Sequence, residues 1–129
     1  MEAGLQKDRT AFFDQLTRTF FSVDGELKGT EAQRQAAIAL CHQSDPNAAV
    51  QCMHAFSETD FRDDLKKVDV PALILHGDAD VIVPFEHSGA LTHARIPGSE
   101  LVLLNGAPHG CNVSHAQAFN DALLAFLKS

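Results

Sequence analysis

The apolar positions of the first forty residues recur at helical spacing. Leu5, Phe12, Phe13, Leu16 and Phe20 fall on one face of a first helix, and "SVDGELKG" then breaks the period with two glycines. "TEAQ" at Thr30–Gln33 is a capping-box pattern and opens a second helix through Ala37 and Cys41. "DPN" at Asp45 sets an N-cap residue before a first-turn proline, which predicts a third helix to about Phe56. "TDFRDDLKKVD" reads as one or two short amphipathic turns ending before Pro71.

The pattern changes in the second half. "PALILHG" is a continuous apolar run bounded by proline and glycine, as expected for a strand buried on both faces. "PFEHSGALTHARIP" begins and ends on prolines and predicts a helix from Pro84 to Pro97. "ELVLLNG" is a second strand of the same kind. "SHAQ" at Ser114–Gln117 repeats the capping-box pattern, and Phe119, Leu123, Phe126 and Leu127 give the last helix an apolar face. No repeat or low-complexity tract is present.

The order strand, helix, strand, helix predicts an α/β unit with a parallel strand pair. It follows a helical segment, dividing the chain into residues 1–66 and 67–129. Two parallel strands have open edges and two faces to cover, so the sheet is expected to be completed by another chain.

Composition narrows the function classes. The 129 residues fit one domain, with 45% hydrophobic and 21% charged content ordinary for a soluble globular protein. A formal charge of −7 and the absence of a Lys/Arg run argue against a nucleic-acid partner. No apolar run approaches the roughly 20 residues that span a bilayer, and "MEAGLQKDRT" lacks the apolar core of a signal peptide. Cys41, Cys52 and Cys111 are an odd number without a C-x-x-C pair, which suits reduced thiols. The expectation is a cytoplasmic location and no membrane partner.

Ligands of open parallel sheets collect beyond the carboxyl ends of the strands. Asp78 and Asp80 follow the first strand, and His109 in "NGAPHG" follows the second. Neighbouring strands lie about 5 Å apart, so these loops should meet across the sequence gap. An aspartate facing an imidazole there is the orienting half of a Ser-His-Asp relay. The order acid then histidine, with the nucleophile earlier, is that of α/β hydrolases.

The motifs "TDFR", "DVPALILHGDAD-x-x-VP" and "APHG" together resemble the C-terminal half of the cofactor-free (non-haem) chloroperoxidase and aryl-esterase branch of the α/β-hydrolase family. The resemblance runs from the helical segment, which would correspond to the family's cap, to the last residue. It implies a partial α/β-hydrolase fold with Asp80 as relay acid and His109 as relay base. It also implies ester cleavage through an acyl-serine, peracid formation when hydrogen peroxide is the acceptor, and no cofactor. Asp78 would shape the turn by accepting backbone N–H bonds. Ile82, two residues beyond the acid, would line the acyl pocket.

A complete member also carries a G-x-S-x-G elbow, and no glycine here opens one. Ser88 falls inside the predicted helix after the first strand, and Ser114 reads as a helix cap. This chain therefore supplies no nucleophile, and hydrolysis by it alone is not expected, because triad members act as a unit. His76, Asp78 and Asp80 invite a metal reading, but alternate residues at a strand end diverge and no helical H-x-x-x-H pair exists. Cys111 sits too close in sequence to His109 for in-line attack and reads as a small buried thiol. The phenylalanines of the first helix serve a core, a cap roofing an acyl site, or both.

Three readings remain. One is a hydrolase completed by a complementary N-terminal half acting on a small ester or carboxylic acid. Another is a non-catalytic domain that hides its sheet edge as a homo-oligomer. The last is a small-acyl-ligand binding module.

Overall fold

The computed structural model describes residues 2–129, the side chain of Glu2 excepted. The first expected helix is two. α1 (Glu2–Lys7) ends at Asp8, whose carboxylate accepts from Ala11 N–H at 2.9 Å and caps α2 (Arg9–Phe21). The apolar period runs on across this break, which is why spacing alone joined the two helices.

"SVDGEL" then forms a two-residue-per-arm hairpin, β1 (Ser22–Val23) with β2 (Glu26–Leu27). Its turn residues Asp24 and Gly25 both have positive φ, 51° and 80°, the geometry that suits an Asp-Gly pair. α3 (Glu31–Gln43) opens with the expected capping box between Thr30 and Gln33. α4 (Pro46–Glu58) starts from the Asp45 cap with Pro46 in its first turn, and runs two residues past the expected end. α5 (Arg62–Leu65) is a single turn.

Arg34 ties α2 to α3. It is 2% exposed and donates through Nη1 to Asp14 Oδ1 (2.8 Å) and Thr17 Oγ1 (3.2 Å), and through Nε and Nη2 to Glu31. A buried guanidinium is tolerable only with its donors satisfied, and here two carboxylates and a hydroxyl meet them. The same contact holds the Glu31 carboxyl well below the usual range, at about 2, and lowers that of Asp14.

The second half is built on β3 (Leu73–Gly77) and β4 (Glu100–Leu104), paired in parallel with Leu73 opposite Glu100 and Gly77 opposite Leu104. Their connection is not one helix from Pro84 to Pro97. A 3₁₀ turn at Phe85–His87 is followed, after Ser88, by α6 (Gly89–Arg95). Ser88, at φ −142° and ψ −84°, sits outside both helical turns rather than inside a continuous helix.

After β4 come α7 (Cys111–Ser114) and α8 (Ala116–Lys128). The capping box expected at Ser114–Gln117 is not formed. Ser114 is the last residue of α7, and its hydroxyl donates to Gly110 O at 3.2 Å. The residue preceding α8 is His115, which makes no side-chain cap bond.

Strand parity sets the layers. Leu75, Val102 and Leu104 point to one face and pack with Phe119 of α8, Ala107 and Cys111. His76 points to the other face, where its ring meets Phe85 and its Nδ1 lies against Gly89 at the start of α6. The strand pair is thus a layer between α6 and α8. Residues 73–76 are nevertheless only half-buried, where burial on both faces was expected.

One reason is the open edge. Glu100 N–H bonds to Ala72 O and Asp78 N–H to Leu104 O, so alternate residues of β3 turn toward β4. The backbone groups of Leu73 and Leu75 face the opposite side, where no further strand pairs among the described residues. Also among the described residues, no helix is long and apolar enough to cross a membrane.

Candidate active site at the strand ends

Gly77, the last residue of β3, lets the two strand-end loops touch. A Cβ there would lie 2.2 Å from Ala107 O, so only glycine permits the approach. Ala79 N–H then bonds to Ala107 O at 3.1 Å, and Asp78 Oδ1 accepts from Gly106 N–H at 2.6 Å. Gly106 itself has φ +65°, a conformation that favours glycine. Asp78 therefore laces the acid loop to the histidine loop, and its turn-shaping role acts across both loops rather than within its own.

Asp80 lies beneath this seam, its side chain 3% exposed. Oδ1 accepts from the backbone N–H groups of Ile82 and Val83, each at 2.9 Å. Oδ2 lies 2.6 Å from His109 Nδ1. A carboxylate oxygen only accepts, so Nδ1 carries the proton of this contact. The two residues, 29 apart in sequence, meet as the parallel topology predicts.

His109 is held from a second direction by the end of α2. Gly110 N–H bonds to Phe20 O at 2.8 Å, and the Phe20 ring meets the imidazole edge-on with centroids 4.6 Å apart. A Cβ at Gly110 would come within 2.3 Å of the Phe21 ring. The beginning of the chain thereby fixes the loop that carries the histidine.

His76 does not diverge from Asp80 as strand alternation suggested. Its Nε2 lies 2.9 Å from Val83 O and 3.4 Å from Asp80 Oδ2, because the acid loop folds back over the strand end. Among the described residues, no group of three or more His, Cys, Asp or Glu could hold a metal ion. Sequence reasoning weighed His76 only as a metal ligand and Phe20 only as core or cap, and gave Gly77 and Gly110 no place in the site. The available signals were the His-Gly pair directly before the D-x-D and the Phe-Phe pair ending α2.

Ile82 lines a hollow of about 290 Å³ with Phe12, Gln15, Leu16 and Thr19. Phe12 and Leu16 also line a larger apolar cleft of about 530 Å³ between α2 and α4, with Leu5, Phe13, Met53 and Phe56 among its walls. Cys111 is 7% exposed within the core, and burial pushes its thiol up, which disfavours the thiolate.

Residues 30–129 match a protein family described as TAP-like protein, under the heading Abhydrolase_4. The chain belongs to the α/β-hydrolase family. It is 33% identical over 130 residues to the non-heme chloroperoxidase of Kitasatospora aureofaciens, covering 98% of this chain and 47% of that protein. It is 47% identical over 75 residues to a bifunctional esterase/perhydrolase of Acinetobacter calcoaceticus, covering 58% of this chain and 27% of the relative. Among solved structures, the bromoperoxidase of Bacillus anthracis superposes with a TM-score of 0.96 at 46% identity, over 99% of this chain and 47% of that one. This α/β-hydrolase chain thus spans about half the length of the chloroperoxidase and bromoperoxidase relatives, and its partial fold is shared with theirs.

Proposed function

We propose that this chain carries the acid and histidine of a serine ester hydrolase and perhydrolase site, to be completed by a complementary segment that bears the nucleophile. The observation that carries the reading is the 2.6 Å contact between His109 Nδ1 and Asp80 Oδ2, with the acid buried and its other oxygen held by two backbone N–H groups. A carboxylate so held fixes one ring tautomer and stabilises the imidazolium.

In the proposed reaction, His109 Nε2 takes the hydroxyl proton of a serine as its oxygen attacks the ester carbonyl. The same nitrogen then returns the proton to the departing alkoxide. Water, deprotonated in turn at Nε2, releases the carboxylic acid. Hydrogen peroxide in its place releases a peracid and restores the serine. Asp80 keeps its bond to Nδ1 throughout. Ile82, Phe12 and Leu16 would bound the acyl group, which favours small apolar or aryl esters. The oxyanion donors would come with the nucleophile's segment.

The test is complementation. This chain is co-expressed with the portion of the Kitasatospora relative that it does not cover, and 4-nitrophenyl acetate hydrolysis is followed. The expected result is a rate above that of either piece, lowered about 10²–10⁴-fold by His109→Ala. Either piece alone is expected to remain at background. A mixture no faster than its separate components would sink the proposal.

The 530 Å³ apolar cleft supports a second reading, a small-acyl-ligand binding domain. Aryl acids and esters would then raise the melting temperature of the chain by itself. No stabilisation by any of them counts against this reading.

A further inference from the structure

We propose that His76 is a positioning residue, holding the acid loop so that Asp80 meets His109. This rests on the reading of Asp80 and His109 as relay acid and base. Val83 O can only accept, so the 2.9 Å contact requires a proton on His76 Nε2. That bond runs from strand β3 to the residue whose own N–H grips Asp80 Oδ1. The same Nε2 lies 3.4 Å from Asp80 Oδ2, on the oxygen that His109 engages. One imidazole therefore secures the loop backbone and adds positive potential beside the acid.

The ring has little freedom to do otherwise. Its side chain is 14% exposed, and Phe85 meets it edge-on at 5.6 Å. Behind it, a Cβ at Gly89 would fall 2.9 Å from Nδ1 and 3.0 Å from the Phe85 ring. The glycine that opens α6 is thus what makes room for the imidazole. Strand, acid loop and following helix converge on His76, although it touches neither substrate nor nucleophile in the proposed reaction.

The test needs no nucleophile. Long-range ¹H–¹⁵N correlations of the imidazoles are recorded on the chain in alkaline buffer. In the wild type, His109 is expected as the single Nδ1–H tautomer and His76 as the single Nε2–H tautomer. His76→Phe keeps a planar ring but cannot donate to Val83 O, and should move the His109 nitrogens toward the free-ring mixture. His76→Gln can place an amide N–H near the Nε2 position and should restore the wild-type pattern.

A lowered melting temperature with unchanged His109 signals in His76→Phe overturns the inference, since packing alone would give that. If His76→Phe does not fold, His76→Asn takes its place. Its amide ends one bond short, and signals matching those of His76→Gln and the wild type again overturn the inference. A wild-type His109 in the free-ring mixture overturns the Asp80–His109 pairing and the proposed function together. Failed complementation with a wild-type single tautomer would instead count against the proposed function alone.

Discussion

Two aspartates separated by one residue have different partners because the backbone turns between them. Asp78 reaches across to Gly106 N–H, while Asp80 turns inward to His109 and to its own loop's N–H groups. Both contacts depend on Gly77, where the strand end passes against Ala107 O. Replacing it with alanine sets a methyl carbon 2.2 Å from a carbonyl oxygen, and both are backbone-fixed. Gly77→Ala is expected to lower the unfolding free energy in urea by at least about 1–3 kcal/mol. It should also lose the single His109 tautomer. A variant with wild-type stability and tautomer would show that the loops do not need this close approach.

At the scale of elements, the α2–α3 pair depends on charge. The carboxyl of Glu31 is held at about 2 by Arg34, against an ordinary 4.5. In the unfolded chain it protonates first, so as pH falls below 4.5 the unfolded state binds more protons and stability declines. The contribution is fully present above that value and is lost as pH reaches about 2. Urea midpoints measured from about pH 6 to 2 should show Glu31→Gln less stable than wild type at the upper end. The two curves should converge at the lower end. Parallel curves would remove Glu31 from the acid sensitivity.

The elements also show which sequence signals were legible. The Thr30–Gln33 box and the Asp45–Pro46 start are local, each satisfied within one helical turn, and both formed as predicted. The two strands were legible from apolar runs between breakers, and the acid–histidine meeting followed from their parallel order. The same box pattern at Ser114–Gln117 failed for a tertiary reason. Gly110 N–H is bonded to Phe20 O, α7 starts at once at Cys111, and the Ser114 hydroxyl is turned back onto Gly110 O. The interruption at Ser88 lies where Phe85 and Gly89 pack around His76, a contact invisible to periodicity. Asp8 carried a cap signal in plain view, masked by apolar spacing that continued across it.

For the whole molecule, the apolar surface is divided unevenly. Leu103 is 43% exposed, and Leu124 and Leu127 of α8 are 49% and 67% exposed. The Leu73 and Leu75 backbone groups face an edge without a neighbour among the described residues. Large exposed apolar groups and an unpaired strand edge each favour association. Sedimentation equilibrium at micromolar concentration is expected to give an apparent mass that rises with concentration above the 14.0 kDa of one chain. A constant 14.0 kDa would count against self-association.

Asp80 and His109 follow consecutive strands of a single parallel pair, and the contacts that fix Asp80, from His76 to His109, lie within that stretch. The Asp80–His109 pair is therefore heritable as one contiguous block of sequence. A recombination or splitting event between α2 and Leu73 would leave the Asp80–His109 contact within one piece, costing its loop the braces that Phe20 and Phe21 provide. Any exchange of sequence upstream of Leu73 would carry the Asp80–His109 contact along as a unit.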